Sequence, residues 1–239
     1  MKTLKALLVL AFVGLAGTAS AQFANSGSSA SGSSIWTTVN TDGYNRVYVS
    51  YLPSTLKVDG LDGDDLGDLD DIRKLKGSFE IGYLRGIGLT QKVPLYLEVG
   101  GALQYRHSKA DIEGLDFKVN MFSLNIPVSL AYRININDDF AIAPNFGFDF
   151  RINMTGKLKA EYDGKELIDM NLFKDETIED EYGDSYKTEA WKRFQAGWHI
   201  GVGFDYKALH FGVNYGTDFN EITEDCKIAT TSVRFGYNF

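Results

Sequence analysis

The residues of this 239-residue chain whose types and spacing could do chemistry are its histidines and the polar groups near them. His199 and His210 lie on either side of the short segment Lys207–Ala208, with Asp205 close by. On a two-residue period both imidazoles fall on one face of neighbouring strands and could meet. Histidine and carboxylate together are zinc-ligand types. The same groups also satisfy one another by hydrogen bonds on a polar face, and that simpler reading is preferred. His107-Ser108 offers a base beside a hydroxyl, the beginnings of an activated nucleophile. Adjacent residues on a strand point to opposite faces, so this pair alone does not make a dyad. Asp59, Asp62, Asp64, Asp65, Asp68, Asp70 and Asp71 form an acidic run whose spacing departs from that of a calcium loop. The one cysteine, Cys226, rules out an internal disulfide and reads as a tolerated loop thiol. No catalytic, cofactor-binding or metal-binding residue is expected.

These residues must be held by elements, and the chain begins with a segment that is not one of them. Lys2 and Lys5 precede an apolar stretch, Ala6 to Gly17, and then Ala19-Ser20-Ala21. Residues 1–21 therefore read as a secretory signal peptide. Removing Lys2 and Lys5 takes Lys+Arg from 24 to 22 against 32 Asp+Glu, a mature net charge of about −10. That balance argues against nucleic acid, whose phosphates need clustered Lys and Arg. Residues 22–43 carry a Ser/Gly run and read as a flexible segment. No later stretch is apolar for long enough to make a membrane helix.

From Tyr44 to Phe239 the apolar residues recur at every second position, the period of a strand with one apolar face. Eight segments carry the pattern: about Asn45–Leu52, Ser78–Leu89, Leu95–Arg106, Val119–Asn135, Phe140–Asn153, Phe194–Tyr206, Leu209–Phe219 and Ala229–Phe239. Connections alternate between long (Pro53–Gly77, His107–Lys118, Met154–Arg193, Asn220–Ile228) and short (Thr90–Pro94, Asn137–Asp139, Lys207–Ala208). Within the third long connection, Leu158 to Tyr162 and Tyr186 to Trp191 could extend the flanking strands. An even number of strands with long and short connections in turn predicts an eight-stranded antiparallel up-and-down transmembrane β-barrel.

A soluble barrel also alternates, with its apolar face inside. Here the other face is dominated by Gly, Ala, Ser and Asn, which suits a narrow interior. Aromatic residues gather near strand ends, with aliphatic ones between, as in two interfacial girdles. By parity Glu80, Glu98, Asp149, Asp205 and Asp218 point inward, as do Arg106, Arg133, Arg151 and Arg234. Five acids facing four bases predict a salt-bridge lattice, because an unpaired charge in that space is costly. Arg85 falls on the outward face near a turn, unless a bulge at Gly86 resets the register. Pro127 and Pro144, each unable to donate to a ladder, predict local bulges or water.

The signal peptide, the eight alternating segments and the ending Arg234-Phe235-Gly236-Tyr237-Asn238-Phe239 resemble the small bacterial outer-membrane β-barrel (porin-like) family, of which OmpA/OmpX-type barrels of Gram-negative bacteria are the best-known relatives. The resemblance implies an outer-membrane protein with both termini in the periplasm. It implies that Val233, Phe235, Tyr237 and Phe239 carry the signal read by the barrel-assembly machinery. Outer-membrane lipid and lipopolysaccharide are the other implied partners, the acidic loop bridging to the latter through divalent cations in one reading. The chain is expected to be a non-enzymatic monomer with a structural or surface-interaction role and at most small-solute permeability. A lipid A- or phospholipid-modifying enzyme and an accessory barrel of a secretion machine are the alternatives.

Overall fold

The structure is a computed structural model that describes residues 43–58, 73–90, 93–112, 115–179 and 185–239. Residues 1–42, the acidic run Asp59 to Asp71, and Asp180, Glu181 and Asp184 lie outside the described residues. The described chain is all-β: β1 (Tyr44–Tyr51), β2 (Ser54–Val58), β3 (Lys74–Leu75), β4 (Phe79–Gly88), β5 (Leu95–Ile112), β6 (Leu115–Tyr132), β7 (Ile134–Asn135), β8 (Phe140–Tyr162), β9 (Lys165–Asn171), β10 (Glu176–Glu179), β11 (Ser185–Thr188), β12 (Phe194–Tyr206), β13 (Leu209–Asp218) and β14 (Cys226–Asn238). Eight of these, β1, β4, β5, β6, β8, β12, β13 and β14, form an antiparallel ring closed by β1 against β14. Closure runs from Arg46↔Asn238 to Tyr51↔Val233, and Asn45 and Phe239 exchange backbone hydrogen bonds at 2.9 Å. A closed ring leaves no strand edge unpaired, which lipid requires of anything that spans it.

The alternation sorts two faces. Val47, Val49, Phe79, Ile81, Tyr83, Leu103, Phe148, Ile152, Tyr215 and Phe235 are exposed, whereas Arg46, Tyr48, Glu80, Leu84, Gln104 and Arg106 on the same strands are buried. In water such a belt would exceed the apolar patch that a soluble monomer tolerates. Against lipid it is the favoured surface.

Several details depart from the sequence expectation. β1 does not end the first strand at Leu52. Thr231 donates to the Pro53 carbonyl at 3.0 Å, and β2 then continues along β14 in the same register, to Val58↔Cys226. β5, β6 and β8 run to 18, 18 and 23 residues. A membrane crossing needs about 9–11, so these strands project roughly 25 Å past it at the end with long connections. β8 turns at Asp163-Gly164, both with positive φ (46° and 74°), and returns as β9. Asp-Gly suits the tight hairpin turn that matches strand twist. Leu158 to Tyr162 therefore does extend a strand, but Tyr186 to Thr188 lies in β11, which pairs with β10.

The prolines do not make bulges. β5–β6 pairing stops at Val99↔Val128 and resumes in the same register at Ala102↔Asn125, so Pro127 costs pairing without inserting a residue. Pro144 stays in register opposite Val202. The bulge lies elsewhere, where β6 passes from Phe122↔Thr155 to Ser123↔Asn153 and Met154 is unmatched. Below it the even residues of β8 face outward; above it the odd ones do. Arg85 is outward-facing and donates to Asn45 Oδ1 at 2.9 Å, with no register shift at Gly86.

Candidate functional site

The interior of an eight-stranded barrel is just wide enough for side chains to fill, and here it is filled in tiers. At the end with short turns, Arg46 Nη1 lies 3.1 Å from Glu98 Oε1 and its Nη2 lies 3.6 Å from Asp205 Oδ1. Its Nε donates to Asn238 Oδ1 at 2.7 Å. Arg133 Nη2 reaches Asp205 Oδ2 at 3.6 Å, His210 Nδ1 meets Asp205 Oδ1 at 2.8 Å, and the Tyr44 hydroxyl donates to Glu98. Tyr44, Tyr48, Tyr96 and Leu84 pack among these groups. Their rings fit because the wall opposite has no side chains: a Cβ on Gly82 would sit 2.5 Å from the Tyr48 ring, and one on Gly86 2.4 Å from the Tyr44 ring.

In the middle tier Glu80 accepts from Gln104 Nε2 at 2.6 Å and lies 3.9 Å from Arg234 Nη2. The Arg234 guanidinium stands 4.2 Å over the Tyr48 ring. Arg106 is bound by Gln104 Oε1 at 2.7 Å. Toward the long connections Arg151 pairs with Asp218 at 2.5 Å, and Asp149 accepts from Asn125 at 2.9 Å and meets His199 Nδ1 at 2.6 Å. Between these groups a cavity of about 60 Å3 remains, lined by Arg106, Asn125, Asp149, Arg151, His199 and Arg234 among others. It has room for a few water molecules and no more.

The nine charged residues singled out from the sequence thus all line the lumen, Arg133 and Asp149 less deeply than the rest. Arg46 was missed, although it is 2 % exposed and touches two carboxylates. Its signal was the parity of β1, where Arg46 and Ser50 alternate with Val47, Val49 and Tyr51. With Arg46, five acids and five arginines line the lumen among the described residues.

The groups that could have done chemistry are kept apart. His199 pairs with Asp149 and His210 with Asp205, so the two imidazoles do not share a site. Among the described residues no group of three His, Cys, Asp or Glu is placed to hold a metal. His107 stacks on Tyr105 with its Nδ1 2.9 Å from Asn120 Oδ1, and the Ser108 hydroxyl donates to the Lys74 carbonyl at 2.8 Å. Cys226 is not a loop thiol: it opens β14 and is buried.

Above the lumen sits an apolar roof. Leu75, Val119, Met121, Leu172, Phe173, Ile222, Cys226 and Ile228 form a buried cluster, with Leu56, Val58, Leu158 and Trp191 packed against it. Arg193 pins it, donating to the Met154 carbonyl at 2.8 Å while lying over the Phe173 ring at 5.1 Å.

The barrel is closed, apolar outside and charged within, and the family model for the outer membrane protein beta-barrel domain matches residues 70–221. The chain belongs to that family. It is an outer-membrane β-barrel. No curated protein matches it in sequence. Among solved structures this β-barrel is similar to Ail, the attachment invasion locus protein of Yersinia pestis, at 15% identity and a TM-score of 0.42, over 83% of this chain and 99% of that one. It is similar to Neisserial surface protein A at 11% identity and a TM-score of 0.39, over 82% and 97%. It is also similar to the outer membrane enzyme PagL at 12% identity and a TM-score of 0.36, over 80% and 98%.

Outside the membrane-spanning part of the barrel, the β8–β9 hairpin carries its own charged ladder. Lys159 Nζ lies 2.6 Å from Glu166 and 2.9 Å from Asp169. The hydrogen bond to Glu166, then that to Asp169, pushes the ammonium of Lys159 above its ordinary value. The hydrogen bond from Lys159 holds the Asp169 carboxyl below its ordinary 3.8.

Proposed function

We propose that this barrel anchors and presents an extracellular surface for interaction, with no catalytic role and no open channel. The observation that carries the reading is the contrast between the two parts. The lumen is occupied by a neutral lattice and covered by an apolar roof, so it offers neither a passage nor a substrate pocket. Beyond the girdle, β5, β6, β8 and β9 continue as a four-stranded sheet. β9 pairs only with β8, leaving a row of backbone donors and acceptors along its other edge among the described strands. Such an edge is a template for strand pairing with another chain.

In this reading the short turns and both barrel ends, Asn45 and Phe239, face the periplasm, and the sheet faces outside. Val233, Phe235, Tyr237 and Phe239, all on the outer face of the closing strand, are the residues presented to the assembly machinery. Against the catalytic alternative, among the described residues Ser108 is tied to a backbone carbonyl and each lumen histidine to a carboxylate.

Replacing residues 163–188 by a two-residue turn tests the proposal. The shortened protein should still migrate differently in gels before and after boiling. Cells bearing it should lose adhesion to protein-coated surfaces relative to cells bearing the full chain. Equal adhesion, or an altered lipid A acyl pattern in a deletion strain, would overturn the reading.

A further inference from the structure

Two lysines on the outer wall have no counter-charge among the described residues. Lys57 of β2 and Lys227 of β14 are directly opposite in the ladder and fall on the same, outward face. Their neighbours Leu56, Val58, Cys226 and Ile228 point the other way, into the roof. Directly opposed side chains of like charge repel each other at about 5 Å between Cβ atoms. No described carboxylate comes within ion-pair distance of either ammonium. Lys57 bends toward the membrane instead: its Nζ donates to the Tyr215 hydroxyl at 3.1 Å and stands 5.8 Å from that ring. Tyr215 belongs to the aromatic girdle at the loop end, which in membrane barrels marks headgroup level. The Lys57 ammonium is thus held at the depth where lipid phosphates lie, with Lys227 beside it across the ladder.

The wall beside them is shaped. Val49, Tyr51, Phe79, Ile81, Leu103, Tyr105, Phe122 and Phe235 enclose an outward-facing apolar groove of about 480 Å3. It begins on β14 and β1, the strands that lead up to the lysine pair. Tyr51 is two residues below Pro53, which is paired with Thr231 beside Tyr215.

We infer that Lys57 and Lys227 form a clamp for a phosphate of a lipid A-type glycolipid in the outer leaflet, its acyl chains lying in the adjoining groove. A phosphate between the two ammonium groups removes their repulsion and accepts from both. The Tyr215 hydroxyl, which accepts from Lys57, remains free to donate to the same oxygens. The choice of lipid A rests on the proposed orientation, with the loop end outside.

The test uses the purified full chain in detergent, with bound lipid counted by native mass spectrometry. Lipid A, phosphatidylglycerol and inorganic phosphate are titrated separately. Wild type should retain lipid A. Lys57→Gln with Lys227→Gln should weaken retention roughly tenfold or more, given the attraction of each surface lysine to anionic lipid. Lys57→Arg with Lys227→Arg should keep it, and Lys109→Gln with Lys192→Gln, elsewhere on the head, should not change it. Each variant is confirmed as folded by its heat-dependent gel shift. Unchanged retention in the Gln pair overturns the clamp. Phosphatidylglycerol bound as tightly as lipid A overturns the glycolipid, and free phosphate bound as tightly overturns the role of the groove. The measurement does not depend on how the barrel faces in the cell. Surface labelling of Lys157→Cys on intact cells reports that separately.

Discussion

At the scale of single residues, Arg46 is where the interior is most tightly determined. Its guanidinium touches Glu98, Asp205 and Asn238 at once. Removing one partner of a buried ion pair leaves an uncompensated charge, which costs about 3–5 kcal/mol. Arg46→Met should therefore destabilise the barrel by about that amount, read as a lower urea midpoint in micelles. Adding Glu98→Gln to Arg46→Met should recover part of the loss, because the stranded carboxylate is then neutral. A midpoint equal to wild type in the single variant would show that the pair does not hold the fold. Such residues were only partly legible. Parity found Glu98, Asp205 and Arg133 because each falls on the polar phase between clear apolar neighbours. Arg46 escaped because its face of β1 also carries Tyr44 and Tyr48, so that face did not read as polar. Tyr48 is buried and Tyr44 half-buried against Gly82 and Gly86 across the ladder, a fit that appears only when the strands are paired.

At the scale of elements, what the membrane enforces was readable and what stands above it was not. Lipid demands an apolar side chain at every second position, and apart from the outward Arg85 of β4 the strands β4, β12 and β13 follow that rule to within a residue or so of their ends. β2, β9, β10 and β11 lie beyond the girdle, where nothing imposes the alternation. Pro53 disguised the continuation of the first strand, and the unmatched Met154 leaves no trace in composition. The β8–β9 hairpin is instead held by its Asp163-Gly164 turn and by the Lys159 ladder. That ladder has a pH dependence of definite sign. The Asp169 carboxyl is held below its ordinary value, so its contribution is present above 3.8 and is lost as pH falls through its lowered folded value. Lys159 is shifted upward, so its contribution persists throughout the neutral range and is lost only in strong base. Amide protection in β9, corrected for intrinsic exchange, should be level from about pH 5 to 9 and decline below about pH 4. Lys159→Gln should remove that decline. Protection that falls between pH 5 and 7 would assign the hairpin's stability to some other group.

At the scale of the whole molecule, closure and filling together decide what can cross. β1 and β14 complete the ring, so no edge is left in lipid, and eight strands set an interior that the lattice occupies. Open aqueous channels come with about 16–18 strands. Two barriers lie in series here, the apolar roof around Phe173 and Ile222 and the ionic tiers beneath it. They are distinct, because Phe173 and Ile222 of the roof belong to the connections after β9 and β13, whereas the tiers stand on the strands. Opening the first should therefore not open the second. Purified wild type in planar bilayers should give no large, stable conductance steps. Phe173→Ser with Ile222→Ser should loosen the head, seen as faster proteolysis of the long connections, and still give no such steps. Steps that appear only in that double variant would make the roof the sole gate and the lattice permeable to ions. Large steps from wild type would mean that the tiers part in a membrane, and the reading of the lumen as a filled support would fall.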